Sequence, residues 1–118
     1  MTIMNEYVFL VQFGLQQTLT PEQQKQNSAD WAKLIQQWTE QGVFVGSSLI
    51  NQPGVVISGP SRTISQGYLS DAMFRVVSAI RVKAADLNEA VEMAKACPIL
   101  AYQGKIEVRE VQPRPVLA

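Results

Sequence analysis

The sequence predicts an α+β fold in which two helices lie on one face of a four-stranded sheet. Strand-like and helix-like segments follow one another in the order strand, helix, strand, short hairpin, strand, helix, strand. Two helices can cover only one face of a sheet of this size. The first strand segment is apolar on both of its faces, which is typical of a central strand. We therefore expect a ferredoxin-like split βαβ domain with an inserted β-hairpin.

Length and composition indicate one globular domain. The chain has 118 residues, of which 47% are hydrophobic and 17% are charged, and this excludes an intrinsically disordered protein. We assign residues 1–118 to a single domain with a core at about 6–112 and an extended tail at 113–118. No apolar run approaches the ~20 residues of a membrane span, and the N-terminal apolar run has no basic lead-in. We expect a cytoplasmic protein.

Charge and residue content argue against several kinds of chemistry. Ten basic residues balance ten acidic residues, so the chain has no positive surplus for a nucleic-acid partner. It contains no histidine and a single cysteine, Cys97, which argues against a zinc or transition-metal site. Because Cys97 has no histidine partner, we interpret it as a small buried hydrophobic residue. We expect no metal, no cofactor, no nucleic-acid partner and no membrane partner.

The first strand and the first helix have clear boundaries. The segment Tyr7–Phe13 is rich in aromatic and β-branched residues and predicts a strand. Thr20 can cap a helix that begins at Pro21, and Gln23 stands three residues later, as in a capping box. The helix should end just before Gly42, because glycine readily adopts the left-handed conformation that follows many helices.

The second half of this helix carries an apolar stripe, whereas the first half does not. The stripe has four members at helical spacing: Trp31, Leu34, Ile35 and Trp38. The two tryptophans could form an aromatic cage for a ligand, but their spacing favours packing between the helix and the sheet. We expect the first half, around residues 22–27, to lie at the surface.

The remaining segments complete the predicted sheet. Strands are predicted at 43–50, 55–58, 62–65, 73–83 and 105–111. The second and third of these flank Gly59-Pro60 and form the hairpin. Asp86 caps a second helix that ends at Pro98. The residues of this helix predicted to point inward are Leu87, Ala90, Val91 and Ala94.

The long strand at 73–83 has two unequal faces. The more apolar face consists of Phe74, Val76, Ser78, Ile80 and Val82, and we expect it to meet the helices. The opposite face consists of Met73, Arg75, Val77, Ala79 and Arg81, which is mixed rather than solvent-like. Since an exposed apolar sheet face favours aggregation, we predict a homodimer in which two sheets pack face to face.

Several segments also resemble a known family. They are Trp31–Trp38, Gln41–Gly46, Val56–Gly59, Asp86–Pro98 and Gly104–Arg109. Over about residues 6–112 the chain resembles the YCII-related proteins of the DGPF type. The resemblance implies a ferredoxin-like fold, pairing into a dimeric α+β barrel with a cavity between the sheets, and, for some relatives, an enzymatic role.

The chain departs from this family at its signature. The Asp-Gly-Pro-Phe motif reads Gln66-Gly67-Tyr68-Leu69, and the acidic residue that follows is matched in kind by Asp71. Met73-Phe74 replaces a Lys-Glu pair, and Val77-Ser78 replaces paired glycines. The histidine suggested to be catalytic in the YCII branch has no counterpart. The resemblance therefore implies the fold rather than a particular activity.

Five side chains are candidates for a ligand site. Asp71 and Arg75 share a face if Asp71 begins the strand, and could bind a small polar or anionic molecule, with Asp71 as general base if burial raises its pKa. The alternative is a solvated ion pair worth about 0–1 kcal/mol. Gln66 and Tyr68 flank a glycine and could line a cavity or only form a turn. Ser47 could donate to a ligand or only pack in a strand.

Three functions are consistent with these observations. The first is a YCII-related dimer that binds a small polar or anionic molecule between the sheets without established catalysis. The second is a cofactor-independent lyase, hydrolase or oxygenase, with Asp71 as base and Arg75 holding an anionic substrate. The third is a structural interaction module. In each case the chain's main partner is a second copy of itself.

Overall fold

The structure is a computed structural model that describes residues 4–51, 53–67 and 73–112. Within these residues the chain forms six strands, two α-helices and one 3-10 helix. The strands are β1 (Asn5–Gly14), β2 (Phe44–Leu49), β3 (Gly54–Ser58), β4 (Thr63–Gly67), β5 (Phe74–Ala84) and β6 (Lys105–Glu110). The helices are α1 (Pro21–Glu40) and α2 (Leu87–Ala94), and the 3-10 helix spans Pro98–Tyr102. The tail predicted at 113–118 lies outside the described residues.

Four strands form one antiparallel sheet in the order β2-β5-β1-β6. β5 is antiparallel to both β2 and β1, and β1 is antiparallel to β6. β1 and β2 are therefore parallel to each other with β5 inserted between them, which is the strand arrangement of a split βαβ unit. The predicted α+β class and the central position of the first strand are confirmed, and the strand order is consistent with a ferredoxin-like fold.

The helix boundaries follow the predicted capping residues. The Thr20 hydroxyl accepts a hydrogen bond from the backbone N–H of Gln23 at 3.1 Å, and the Gln23 side chain accepts one from the N–H of Thr20 at 3.0 Å. Asp86 accepts a hydrogen bond from the N–H of Glu89 at 2.8 Å and caps α2. Gly42 has a φ of +75°, the left-handed conformation expected after α1.

Both helices pack on the same face of the sheet. The buried cluster there joins alternate residues of β1 to the helices: Tyr7, Phe9, Val11 and Phe13 lie against Leu34 and Trp38 of α1 and Ala90 and Ala94 of α2. We call this the helix face. The opposite face, which no described helix covers, carries the intervening β1 residues, including Val8 and Leu10, and we call it the open face.

A β-bulge in β5 divides that strand into two halves with opposite alternation. Val11 pairs with Ser78, but the next β1 residue, Gln12, pairs with Val76, so Val77 is an extra residue. Directly paired residues lie on the same face of an antiparallel sheet. Beyond the bulge, Phe13 of the helix face pairs with Arg75.

This bulge corrects the faces predicted for the long strand. Ser78, Ile80 and Val82 lie on the helix face and Ala79 and Arg81 on the open face, as predicted. The prediction is wrong for the first half of the strand: Val76 and Phe74 pair with open-face positions of β1, whereas Arg75 and Val77 lie on the helix face. The alternation failed because the inserted residue shifts every earlier side chain to the other face.

Both ends of α2 differ from the prediction. Leu87 is 52% exposed rather than inward, whereas Ala90 and Ala94 are buried. Leu87 is the first residue of the helix, where the chain has only begun to approach the sheet. The helix ends at Ala94, and Pro98 begins the 3-10 helix instead of ending α2.

The predicted hairpin is present but stands apart from the main sheet. β3 and β4 form a separate two-stranded sheet, with Ile57 paired with Ile64. The apolar side chains of these strands are exposed, including Val55 at 68% and Ile64 at 69%. The radius of gyration is 16.3 Å, above the about 13.5 Å typical of a compact chain of this length.

Candidate ligand groove

A groove of about 330 Å³ runs between α1 and the helix face of the sheet. Its apolar wall consists of Val11, Trp31, Ile35, Leu49, Val77, Ile80 and Ile99. Its polar lining consists of Asn27, Ser28, Ser47 and Ser78. A mostly apolar wall with a few polar side chains is the usual composition of a small-molecule site.

The groove exists because small side chains face the N-terminal half of α1. Ser47 pairs with Ile80, and Ser78 pairs with Leu49, so two serines lie on the sheet surface beneath the helix. A serine fills much less space than the Val82 and Phe44 side chains that pair at the other end of these strands. The sheet surface is therefore recessed where α1 carries Asn27 and Ser28.

The polar side chains of the groove differ in exposure, since Ser28 and Ser47 are open to solvent whereas Asn27 and Ser78 are partly or largely buried. None of the four polar lining side chains forms a hydrogen bond with another side chain or backbone group in the described part of the chain. The Asn27 Oδ1 atom is fully buried without a partner, and a buried polar atom in this state costs about 1–3 kcal/mol. Rotation of this amide toward the groove would let a ligand satisfy it.

The bulge in β5 contributes directly to the groove. It brings two consecutive residues, Val77 and Ser78, to the same side of the strand, and both line the groove. A regular strand would direct one of them to the open face. The backbone carbonyl of Val77 also accepts a hydrogen bond from the N–H of Ile50 at 2.9 Å, which continues the pairing with the chain beyond β2.

The predicted site residues divide into four groups. Ser47 lines the groove. Arg75 is half-buried on the helix face, two residues before the lining residue Val77, and is not part of the lining itself. Gln66 lies exposed in the hairpin, paired with Val55, and the structure does not bring it to Ser47 or Arg75. Tyr68 and Asp71 lie outside the described residues.

Sequence reasoning missed Asn27 and Ser28 as site residues. Both lie at helical spacing from Trp31 and Ile35, because residues three and four apart share a helix face. The signal was therefore a short polar extension of the apolar stripe. The expectation that residues 22–27 lie at the surface holds for 22–26, which are exposed, and is wrong for Asn27, which is partly buried.

Cys97 is not available as a nucleophile. It is buried in the core, and this burial raises the pKa of its thiol from an ordinary value of 9.0 to about 12. The thiol is therefore protonated at neutral pH, and only the thiolate is nucleophilic. This agrees with the interpretation of Cys97 as a small hydrophobic residue.

A second depression lies at the far end of the sheet, near the start of β1 and the end of β6. It measures about 630 Å³, and its lining includes Glu6, Arg81 and Glu110. The Arg81 guanidinium and the Glu6 carboxylate form a loose ion pair at 4.0 Å with both side chains substantially exposed. A wide, exposed depression with its charges paired is less suited to holding a small molecule than the groove.

Comparisons with known proteins do not identify a family. No family model matches the chain, and no curated protein matches it. A structure of the B. subtilis GlnK–ATP complex matches with 18% sequence identity over 91% of this chain and 82% of that chain, with a TM-score of 0.38. A hydantoinase/carbamoylase family amidase from Burkholderia ambifaria matches with 9% identity over 95% of this chain, with a TM-score of 0.31.

This chain covers 28% of the length of that amidase. The fold assignment rests on the strand order and register of the molecule itself. None of the helices in the described ranges is long and apolar enough to cross a bilayer.

Proposed function

We propose that this protein is a homodimer that binds a small organic molecule in the groove between α1 and the sheet. The observation that carries the proposal is the lining of that groove, where an apolar wall surrounds four polar side chains and the buried Asn27 Oδ1 atom has no hydrogen-bond partner. A recess that served only as a packing defect would be expected to be apolar throughout. The size, about 330 Å³, lies near the lower end of ligand sites and suits a small ligand.

The proposed dimer pairs through the open face. Val8 and Leu10 occupy the centre of that face on β1, and Ala79 pairs with Leu10. Basic and acidic side chains flank this strip, since Val8 pairs with Arg81 on one side and Leu10 with Glu107 on the other. A face with an apolar centre and charges of both signs at its rim is self-complementary under a two-fold axis.

The YCII-type resemblance supports the same assembly. In that family two sheets pack face to face in a dimeric α+β barrel, and the resemblance places the ligand cavity between the sheets. The groove described above lies on the other side of the sheet from that cavity. Binding at the groove and binding between the sheets therefore make different predictions for substitutions on the two faces.

A catalytic role has no support from the described residues. The base considered from sequence, Asp71, lies outside them, and the cysteine that they contain is protonated at neutral pH. The enzyme hypothesis therefore stays a prediction that the groove does not strengthen.

Native mass spectrometry on protein purified from its own host tests both halves of the proposal. We expect a dimer of the 13.1 kDa chain that carries additional non-covalent mass. Leu10→Arg should give a folded monomer, because it places a charge at the centre of the open face. A matched change on the exposed outer side of α1, Gln36→Arg, should leave the dimer intact.

Ligand binding has its own pair of variants. Ser47→Leu should remove the additional mass by filling the groove, whereas Ser48→Leu changes the neighbouring serine, which pairs with the open-face residue Ala79, and should retain it. Additional mass that survives Ser47→Leu but is lost with Leu10→Arg would favour a cavity between the sheets and contradict the groove. A monomeric wild-type chain at micromolar concentration would contradict the dimer.

A further inference from the structure

We propose that the ligand of the groove is a small aromatic carboxylate whose ring lies against Trp31 and whose carboxylate binds Arg75. This inference rests on the proposed function and specifies the class of ligand. It depends on the bulge in β5, which moves Arg75 from the open face to the helix face.

The composition of the groove wall favours an aromatic ring as the part of the ligand that enters the groove. Trp31 is half-buried and lines the recess together with the aliphatic side chains of Val77 and Ile35. The lining contains no charged side chain, so the part of a ligand that enters it should be uncharged. A flat aromatic ring gains contact with both the indole and the aliphatic wall, and the serine hydroxyls can bind its polar substituents.

The position of Arg75 favours an anionic group at one end of the ligand. Arg75 and Val77 are two residues apart on the same face of β5, and their Cα atoms are therefore about 6–7 Å apart. An arginine side chain is long enough to cover that distance and reach the end of the groove. Its guanidinium forms no ion pair and no hydrogen bond with the residues that the structure describes.

A partly buried arginine whose guanidinium has no counter-ion among the residues that the structure describes favours an anionic ligand. Partial burial removes hydration from the charge, and a carboxylate can replace it with two parallel charge-assisted hydrogen bonds. The planar guanidinium matches a carboxylate better than it matches a single hydroxyl or carbonyl oxygen. Ser47 and Asn27 can hold the uncharged part of the molecule while Arg75 holds its end.

Three probes with the same ring separate the two parts of this inference. Indole carries the ring alone, indole-3-acetate adds a carboxylate, and tryptamine adds an ammonium group at a similar distance. Titration calorimetry on the wild-type protein should give an affinity for indole-3-acetate about tenfold higher than for indole. Tryptamine should bind more weakly than indole, because Arg75 repels it.

Arg75→Gln should lower the affinity for indole-3-acetate about tenfold and leave indole unchanged. Arg62→Gln, at an exposed position of the hairpin away from the groove, should change neither affinity. Equal binding of all three probes, or an unchanged affinity for indole-3-acetate in Arg75→Gln, would overturn the carboxylate assignment and leave the groove in place. Failure of all three probes to bind would overturn the ligand class, whereas the groove is tested separately by the loss of bound mass in Ser47→Leu.

Discussion

The two ends of the interface between α1 and the sheet are packed very differently. At the C-terminal end of the helix, the Trp38 ring meets Phe9 edge to face with 5.9 Å between ring centroids, and both side chains are buried. At the N-terminal end, Asn27 and Trp31 face Ser78 across a groove. One helix on one sheet thus forms a sealed core at one end and a recess at the other.

This difference shows that small side chains on both the helix and the sheet determine where the groove forms. The α1 face keeps its spacing but changes from Leu34 and Trp38 at one end to Asn27 and Ser28 at the other. The facing sheet surface changes as well, from large apolar side chains near Trp38 to serines near Asn27. Substitutions at the packed end should therefore change mainly stability, and substitutions at the groove should change mainly binding.

The largest expected effect is a loss of stability at the packed end. Trp38→Ala should lower the free energy of unfolding by about 3–5 kcal/mol, because it removes a buried ring and its contact with Phe9. Trp31→Ala removes a half-buried ring at the groove and should cost about 1–2 kcal/mol. Urea unfolding of both variants measures the difference, and equal losses would contradict the distinction between the two ends.

The second effect appears only at alkaline pH and concerns Cys97 in the packed core. Burial raises the pKa of its thiol to about 12, so between pH 9 and 12 the unfolded chain releases this proton while the folded chain retains it. The free energy of unfolding should therefore fall with rising pH by up to about 1.4 kcal/mol per pH unit.

Comparison with Cys97→Ala isolates this term, because the other titrating groups are common to both proteins. The difference in stability between them should be constant below pH 9 and should change above it. A difference that stays constant up to pH 11 would show that the thiol is accessible to water in the folded protein.

A smaller effect is expected from the unpartnered amide of the groove. Asn27→Leu replaces a buried oxygen without a hydrogen bond by an apolar side chain and should raise the free energy of unfolding by about 1 kcal/mol. Since leucine also has a higher helix propensity than asparagine, the same substitution at the exposed Asn88 of α2 serves as the control. Thermal unfolding that shows no gain for Asn27→Leu beyond this control would indicate that the amide is satisfied.

The smallest expected change in stability accompanies the filling of the groove. Ser47→Leu should alter the free energy of unfolding by at most about 0.5 kcal/mol, because the residue is exposed on the outer strand β2. The same substitution should abolish binding of indole-3-acetate. A calorimetric titration in which Ser47→Leu binds this probe like the wild type would place the ligand elsewhere.

Much of the fold could be predicted because local signals and global packing agree. The capping box at Thr20, the hairpin around Gly59-Pro60 and the doubly apolar first strand each have a direct local cause, and all three appear in the structure. Leu87 was misplaced because helical spacing alone does not show how close the first turn comes to the sheet. The 3-10 helix that begins at Pro98 was missed because proline suits the first position of a helix as well as the end of one.

The candidate site could be predicted only in part, and the bulge explains why. The residues around Val76-Val77-Ser78 fit the side-chain alternation of a regular strand without an inserted residue. The sequence alone therefore predicts a strand without a bulge. The extra residue is visible only in the register against β1. The extra residue places Arg75 on the helix face, beside the groove that Ser47 lines, rather than on the face proposed for dimerisation.

The most direct test of this account is an amide and indole chemical-shift map recorded by NMR as indole-3-acetate is added. We predict that the perturbed signals cluster at Asn27, Trp31, Ser47 and Ser78, with the Arg75 side-chain signal shifting in the same titration. Perturbations confined to Leu10, Ala79 and Glu107 on the open face would contradict the groove and place the ligand between the sheets. A spectrum unchanged at millimolar indole-3-acetate would contradict the ligand class.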